Sequence, residues 1–273
     1  MRPLVALLCL AGVARGHHGQ DFFVNLDARV PALGAFTAFA NASAAEGEFV
    51  LEPGLMAGLG AGFGLGLSAD FSDDGSFHAA GITPMLQGST AVGDSSLRLG
   101  ASLAWHLADS SRLPAGGHGG HGHGSHTHSR RAAVAAGRAA TNPDAPPTPA
   151  PQAAAPPAGS TIHLHDTDYL ATRLIAEWEC TRNTRLVGNL ILAGTSGSDL
   201  ALGYSFGIRH ELGTRWALGL EGIGDFDTGG YHELIGSVVF SPRRDLGLRA
   251  GVGHGLGPSS GGASLLTGVT FRF

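Results

Sequence analysis

The residues best suited to chemistry are histidines gathered in one glycine-rich run. Between Gly117 and His128 five imidazoles alternate with small residues. Neutral imidazole is a ligand suited to zinc, copper and nickel, and glycine spacing lets several nitrogens converge on one ion. The alternative is a solvated low-complexity stretch with no selected role. We predict a divalent transition-metal site of modest affinity in this part of the chain, formed by His118, His121, His123, His126, His128, His163 and His165.

A second pair of histidines, His17 and His18, follows the first sixteen residues. Those residues have the plan of a secretory signal peptide, with Arg2 before an apolar run and small residues at the end. If cleavage falls before His17, the free α-amino group and both imidazoles predict a copper or nickel site. An ordinary polar N-terminus is the alternative. We predict no cofactor that the fold requires, and zinc, copper or nickel would be bound only by these histidines.

Catalysis needs a nucleophile and a base on one wall of the fold. His210, His232 and His254 have no neighbouring serine at a spacing that a strand allows, so we predict that the protein is not an enzyme. Cys180 is the only cysteine after the signal, which excludes an intramolecular disulfide and a cysteine-based zinc site. The formal net charge of −5 does not favour a nucleic-acid partner.

The elements that position these residues follow from the alternation of side chains. Beyond the signal no apolar run approaches the roughly 20 residues that a membrane helix needs. Instead, segments of about ten residues alternate between apolar and small or polar side chains, as in transmembrane β-barrels. We predict an all-β, antiparallel up-and-down barrel over 34–273, after a periplasmic segment 17–33. Twelve strands are counted, with ten as the alternative: 34–43, 47–58, 60–71, 76–87, 94–107, 166–179, 184–193, 199–210, 214–226, 229–240, 244–254 and 263–273.

One long stretch interrupts this pattern. Residues 109–165 hold seven of the fourteen histidines and eight of the fourteen prolines, with almost no large apolar residues, so we predict a disordered loop. With twelve strands the connections near 91–94, 181–183, 212–214 and 241–245 are short and periplasmic, which makes 109–165 extracellular. Aromatic residues gather near both ends of the strands, as two interfacial girdles require.

The final strand, Leu265 to Phe273, alternates apolar and small or polar residues and ends on phenylalanine. It resembles the last strand of Gram-negative outer-membrane β-barrel proteins. That resemblance implies insertion into the outer membrane by the barrel-insertion machinery. The start of the mature chain, His17 to Phe23, resembles a group of small uncharacterised barrels that begin with paired histidines, and this resemblance implies no catalytic residues.

Charged residues of both signs fall on the face predicted to point into the lumen. They either line a narrow aqueous pore or form a closed, salt-bridged core, and the glycines at 62, 64 and 66 favour a small pore. The predicted lumen-lining residues are Glu52, Arg98, Arg173, Glu177, Arg209, Glu221 and Arg249.

The functional hypothesis is therefore a porin-like outer-membrane barrel that passes small solutes and whose histidine-rich loop binds divalent metal ions. Its expected partners are outer-membrane lipid, the insertion machinery and those ions. The alternative is a closed, non-transporting barrel that displays the metal-binding loop.

Overall fold

The computed structural model describes residues 21–45, 48–73, 76–109, 168–195, 200–226, 230–257 and 262–273. Within them, twelve antiparallel strands form one closed barrel: each strand pairs with its neighbours in the chain, and β1 pairs with β12. In these ranges no helix is long and apolar enough to cross a membrane. The strands are β1 (Phe36–Ala45), β2 (Glu48–Gly60), β3 (Phe63–Asp73), β4 (Phe77–Ala91), β5 (Leu97–Ala108), β6 (Tyr169–Thr181), β7 (Thr184–Thr195), β8 (Ala201–Glu211), β9 (Trp216–Asp225), β10 (His232–Arg243), β11 (Leu246–Gly255) and β12 (Ala263–Arg272).

The predicted all-β fold and the count of twelve strands are confirmed, and the alternative of ten is excluded. Pro53 and Pro84 both lie inside strands. Around Pro84 the ladder between β4 and β5 passes from Ile82 directly to Met85. Because proline has no N–H to donate, the barrel accommodates it by losing local pairs with one neighbour.

The two ends of the barrel differ in their connections. At the end that carries Phe36 and Phe273, which we call the short-turn end, each connection between strands spans at most five residues, as at 61–62, 182–183 and 244–245. The opposite end, the long-loop end, includes the connection from Ala108 of β5 to Tyr169 of β6. The long stretch 109–165 therefore leaves the barrel at the end predicted for it, although residues 110–167 lie outside the described ranges.

Side chains alternate between the two faces of the wall as predicted. Leu103, Trp105 and Leu218 are exposed on the outer face, whereas Arg209 and Glu221 are buried on the inner face. A one-residue slip in register would exchange the two sets. An apolar outer face around a charged interior is the arrangement that a barrel in lipid requires.

Aromatic side chains meet near both rims of the barrel. At the short-turn end the ring centroids of Trp216 and Phe240 are 4.5 Å apart, and Phe271 contacts Phe273 at 4.6 Å. At the long-loop end, the ring centroids of Phe71 and Phe77 are 5.7 Å apart. These pairs agree with the two predicted girdles.

Residues Asp21–Leu33, which we call the inner segment, precede β1: residues 21–31 lie inside the barrel, and Ala32 and Leu33 are exposed. Phe22, Leu26 and Ala28 are buried there and pack against Ile175 of β6 and Val187 of β7. The sequence analysis placed 17–33 in the periplasm, and the structure differs for residues 21–31. The physical reason is that apolar side chains of this segment find apolar positions on the inner face of the wall.

Candidate functional site in the barrel lumen

Glu221 of β9 holds the middle of the inner segment. Its carboxylate accepts hydrogen bonds from the backbone N–H groups of Phe23 and Val24, each at 2.9 Å, and from the side-chain amide of Asn25 at 3.2 Å. The side chain of Glu221 is almost fully buried. Because several N–H donors of the segment converge on one buried carboxylate, this contact fixes the position of the segment.

Glu177 of β6 holds the next part of the inner segment. Its carboxylate accepts the backbone N–H of Ala28 at 2.9 Å and the Nε–H of Arg29 at 2.6 Å. Arg29 also contacts Glu179 at the rim. A positive charge of the segment is thus paired with negative charges of the wall.

Two arginines of the wall bind backbone carbonyl groups of the inner segment. Arg173 of β6 donates to the carbonyl oxygen of Val24 at 3.1 Å, and Arg249 of β11 donates to that of Phe22 at 2.5 Å. The guanidinium of Arg249 also lies 5.0 Å from the centroid of the Phe23 ring, within cation–π range. Satisfied carbonyl groups allow an irregular backbone to be buried in the lumen.

Three further arginines converge on one carboxylate of the segment near the short-turn end. The Asp21 carboxylate oxygens lie near Arg185 Nη2 of β7 at 2.5 Å, Arg272 Nη2 of β12 at 2.8 Å and Arg209 Nη1 of β8 at 3.3 Å. Although burial alone would raise it, these positive charges hold the pKa of Asp21 well below its ordinary value. The group is therefore ionised and acts as an anion bound by three cations.

Asp27, the second carboxylate of the inner segment, is held mainly through its backbone. Gln87 of β4 donates its side-chain N–H to the Asp27 carbonyl oxygen at 2.7 Å. One carboxylate oxygen, Oδ2, has no hydrogen-bond partner and lies 3.9 Å from Arg185. Burial raises the pKa of Asp27 to about 7, so this group is much less firmly ionised than Asp21.

Glycines of the wall make room for the inner segment. A Cβ atom at Gly207 would lie 2.7 Å from the Phe22 ring, and one at Gly58 would collide with the carbonyl oxygen of Ala32. A Cβ at Gly64 would lie 3.3 Å from Val30. The absent side chains leave space for protein atoms of the segment.

This observation corrects the earlier interpretation of Gly62, Gly64 and Gly66 as signs of an open pore. Gly62 lies in the turn between β2 and β3 with a φ of +80°, which favours glycine. Gly66 faces the side chain of Met85, since a Cβ at this position would lie 3.0 Å from its methyl group. The three glycines border packed atoms or form a turn.

Five of the seven predicted lumen residues thus contact the inner segment. The other two lie on the same inner face: Arg98 lines a cavity at the short-turn end together with Pro31 and Leu33, and Glu52 accepts a hydrogen bond from Asn41 at 3.3 Å. The alternation of side chains predicts these wall residues. It does not predict a role for Asp21, Arg185 or Arg272.

Another polar group that the sequence analysis did not find lies towards the long-loop end. His106 of β5 is fully buried, with Nδ1 3.3 Å from Asp70 and 3.0 Å from the hydroxyl of Thr83. Its ring stacks on Tyr169 at 4.9 Å. Both short contacts involve the same nitrogen and the ring is buried, so we interpret His106 as a structural residue of the barrel wall.

The histidines predicted to bind metal lie outside the described residues: His17, His18, His118, His121, His123, His126, His128, His163 and His165. Within the described ranges no group of three or more histidine, cysteine or acidic side chains is arranged to hold a metal ion.

Solved structures share the fold of this chain, whereas comparisons of its sequence give no match. The sequence matches no protein-family model, and no curated protein matches it either. Among solved structures the KdgM porin aligns with a TM-score of 0.57 at 9% identity, over 87% of this chain and 99% of that one. An outer membrane channel from Pseudomonas putida F1 aligns with a TM-score of 0.54 at 12% identity, over 92% and 100%. The NanC porin gives 0.51 at 7% identity, over 87% and 100%. The chain has the fold of Gram-negative outer-membrane β-barrels.

Proposed function

We propose that this protein is an outer-membrane channel for small solutes and that the inner segment closes it in the conformation described here. The observation that carries the proposal is the nature of the contacts in the lumen. The inner segment joins the wall covalently only through Gly34 and Ala35 before β1, and hydrogen bonds, ion pairs and buried apolar side chains hold the rest. Because these contacts are non-covalent, the inner segment can leave the lumen while the barrel wall stays intact.

The similar folds support the proposal, since two of the matching structures are porins and one is an outer membrane channel. The KdgM porin has also been solved in complex with oligogalacturonate. The polar lumen is consistent with the same proposal, because buried charges such as those of Glu177, Arg209 and Glu221 add little stability compared with apolar packing.

Single-channel recording in planar bilayers tests the proposal. The mature chain is expected to give discrete current steps with a low open probability, because the inner segment must leave the lumen before ions pass. The rival function, a closed barrel that only displays a loop, gives no steps at any voltage. If neither the mature chain nor a variant without residues 21–31 passes current, the channel is excluded.

The chemistry of the remaining groups supports three related proposals. The signal-like residues 1–16 and the final strand support export and insertion by the barrel-insertion machinery into outer-membrane lipid. The contacts of His210 with the Thr184 hydroxyl and of His232 with the Tyr204 hydroxyl, neither of them a serine, support a protein without enzymatic activity. Nothing in the composition supports a nucleic-acid partner.

We further propose that the histidine-rich run binds divalent transition metals. Isothermal titration of the mature chain with zinc and with copper should show uptake that is lost when Gly117–His128 is deleted. Uptake should also weaken as the pH falls through the range in which imidazole is protonated.

A matched control for this measurement keeps the length of the loop. Replacing His118, His121, His123, His126 and His128 by asparagine retains polarity while removing the imidazoles. Unchanged metal uptake in both the deletion and the asparagine variant would show that another group of residues binds the ion, with His17 and His18 the next to be replaced.

A further inference from the structure

The three arginines around Asp21 form a binding site that the chain fills with its own carboxylate. They come from separate strands, Arg185 from β7, Arg209 from β8 and Arg272 from β12, and their side chains are 8%, 11% and 15% exposed. Asp21 itself is 7% exposed. Arginine residues recognise carboxylate ligands in this way, with several guanidinium groups around one planar carboxylate.

One donor of this site remains unused while Asp21 occupies it. Arg209 Nη1 is buried and has no hydrogen-bond partner, although it lies 3.3 Å from an oxygen of Asp21. A buried donor left without an acceptor is costly. The site can therefore accept a ligand whose oxygen atom lies in a better position for a hydrogen bond from Arg209 than the carboxylate oxygen of Asp21.

The Phe22 ring covers the site from the side of the inner segment. It lies 5.3 Å from the guanidinium of Arg185 and packs against Gly207, two residues before Arg209 in the chain. Removal of Asp21 from the arginines thus removes the adjacent aromatic ring from the wall as well. Occupancy of the site and position of the inner segment are coupled.

We infer that Arg185, Arg209 and Arg272 form a site for small carboxylate solutes, and that such a solute competes with Asp21 and releases the inner segment. The inference rests on the proposed function, because the solute reaches the arginines through the lumen. It adds a class of solute and an opening signal to that function. A dicarboxylate has a second group that reaches the unused donor of Arg209.

Hydrogen exchange of backbone amides measures the release of the inner segment, and it does not require that the barrel conducts ions. The backbone amides of Phe23 and Val24 are bonded to Glu221, so they report whether the inner segment is seated. In the mature protein, sodium succinate should speed their exchange by about tenfold relative to sodium chloride at the same ionic strength. Equal exchange in the two salts would mean that succinate acts only by screening, and would overturn the inference.

Two variants identify the site. Arg209→Gln should remove the difference between succinate and chloride, whereas Arg243→Gln should keep it, because Arg243 lies at the same end of the barrel but 61% exposed beside Asp245. If Arg209→Gln does not fold, Asp21→Asn provides the test by calorimetry. Without its internal competitor this variant should bind succinate about tenfold more tightly than the natural chain, and equal affinity would contradict the inference.

The outcomes separate this inference from the channel on which it rests. Current through the variant without residues 21–31, together with identical exchange in succinate and chloride, leaves the channel intact and excludes the carboxylate site. Succinate-dependent exchange in a barrel that never conducts supports the site and excludes the channel.

Discussion

Removal of residues 21–31 is expected to turn brief openings into a steady current in planar bilayers. In the structure the inner segment fills the lumen near the short-turn end, and a minor open state of about 0.1–10% is typical of a two-state equilibrium biased by a few kcal/mol. Without the segment, the wall charges that now bind Phe22, Val24 and Asp21 face water, where their hydration replaces the lost contacts. The open probability should then approach one.

The control for this experiment is the fold of the deletion variant. Unboiled protein should migrate anomalously on a denaturing gel, as the mature chain should, if the twelve-stranded wall is retained. A variant that keeps this migration yet carries no current would show that the wall itself closes the lumen.

The second prediction concerns the glycines that face the inner segment. Gly207→Ala places a Cβ 2.7 Å from the Phe22 ring, closer than packed atoms tolerate. Overpacking of this kind costs about 1–3 kcal/mol, which corresponds to roughly a tenfold rise in open probability. Gly58→Ala should act in the same direction, because its Cβ would collide with the backbone at Ala32. Single-channel recording measures both effects.

Gly247→Ala is the matched control. Gly247 is a buried glycine of β11, two residues from the inward-facing Arg249, and a Cβ there would meet no atom within 4 Å. The same substitution at this position should leave the open probability unchanged. An equal rise in all three variants would assign the effect to the wall strands and not to contact with the segment.

The strands could be predicted because the alternation of apolar and polar side chains is visible within each strand's own sequence. On β9, Leu218 and Leu220 alternate with Gly219 and Glu221, and only one register keeps the charge of Glu221 out of lipid. The strand that contains Pro84 could also be predicted, because apolar residues occur both before and after the proline. The inward direction of the charged residues followed from the same alternation.

The partners of those charges could not be predicted in the same way. Glu221 and Phe23 are separated by 198 residues in the chain, and Arg272 and Asp21 by 251. The inner segment has no alternation to reveal a wall-like position, because its side chains point in several directions within the lumen. A cluster of phenylalanine and leucine just after the predicted signal was the available sign, since a periplasmic tail has no reason to carry them.

The pairing of β1 with β12 has a consequence for how the barrel assembles. The inner segment precedes every strand in the chain, while the closing pair brings Phe36 next to Phe273 and is the strand pair with the greatest separation along the sequence. Closure of so long a loop is slow compared with the formation of neighbouring hairpins. The segment is therefore already synthesised when the last seam forms, and it can serve as a template around which the arginines of β7, β8 and β12 are gathered before the cylinder is sealed.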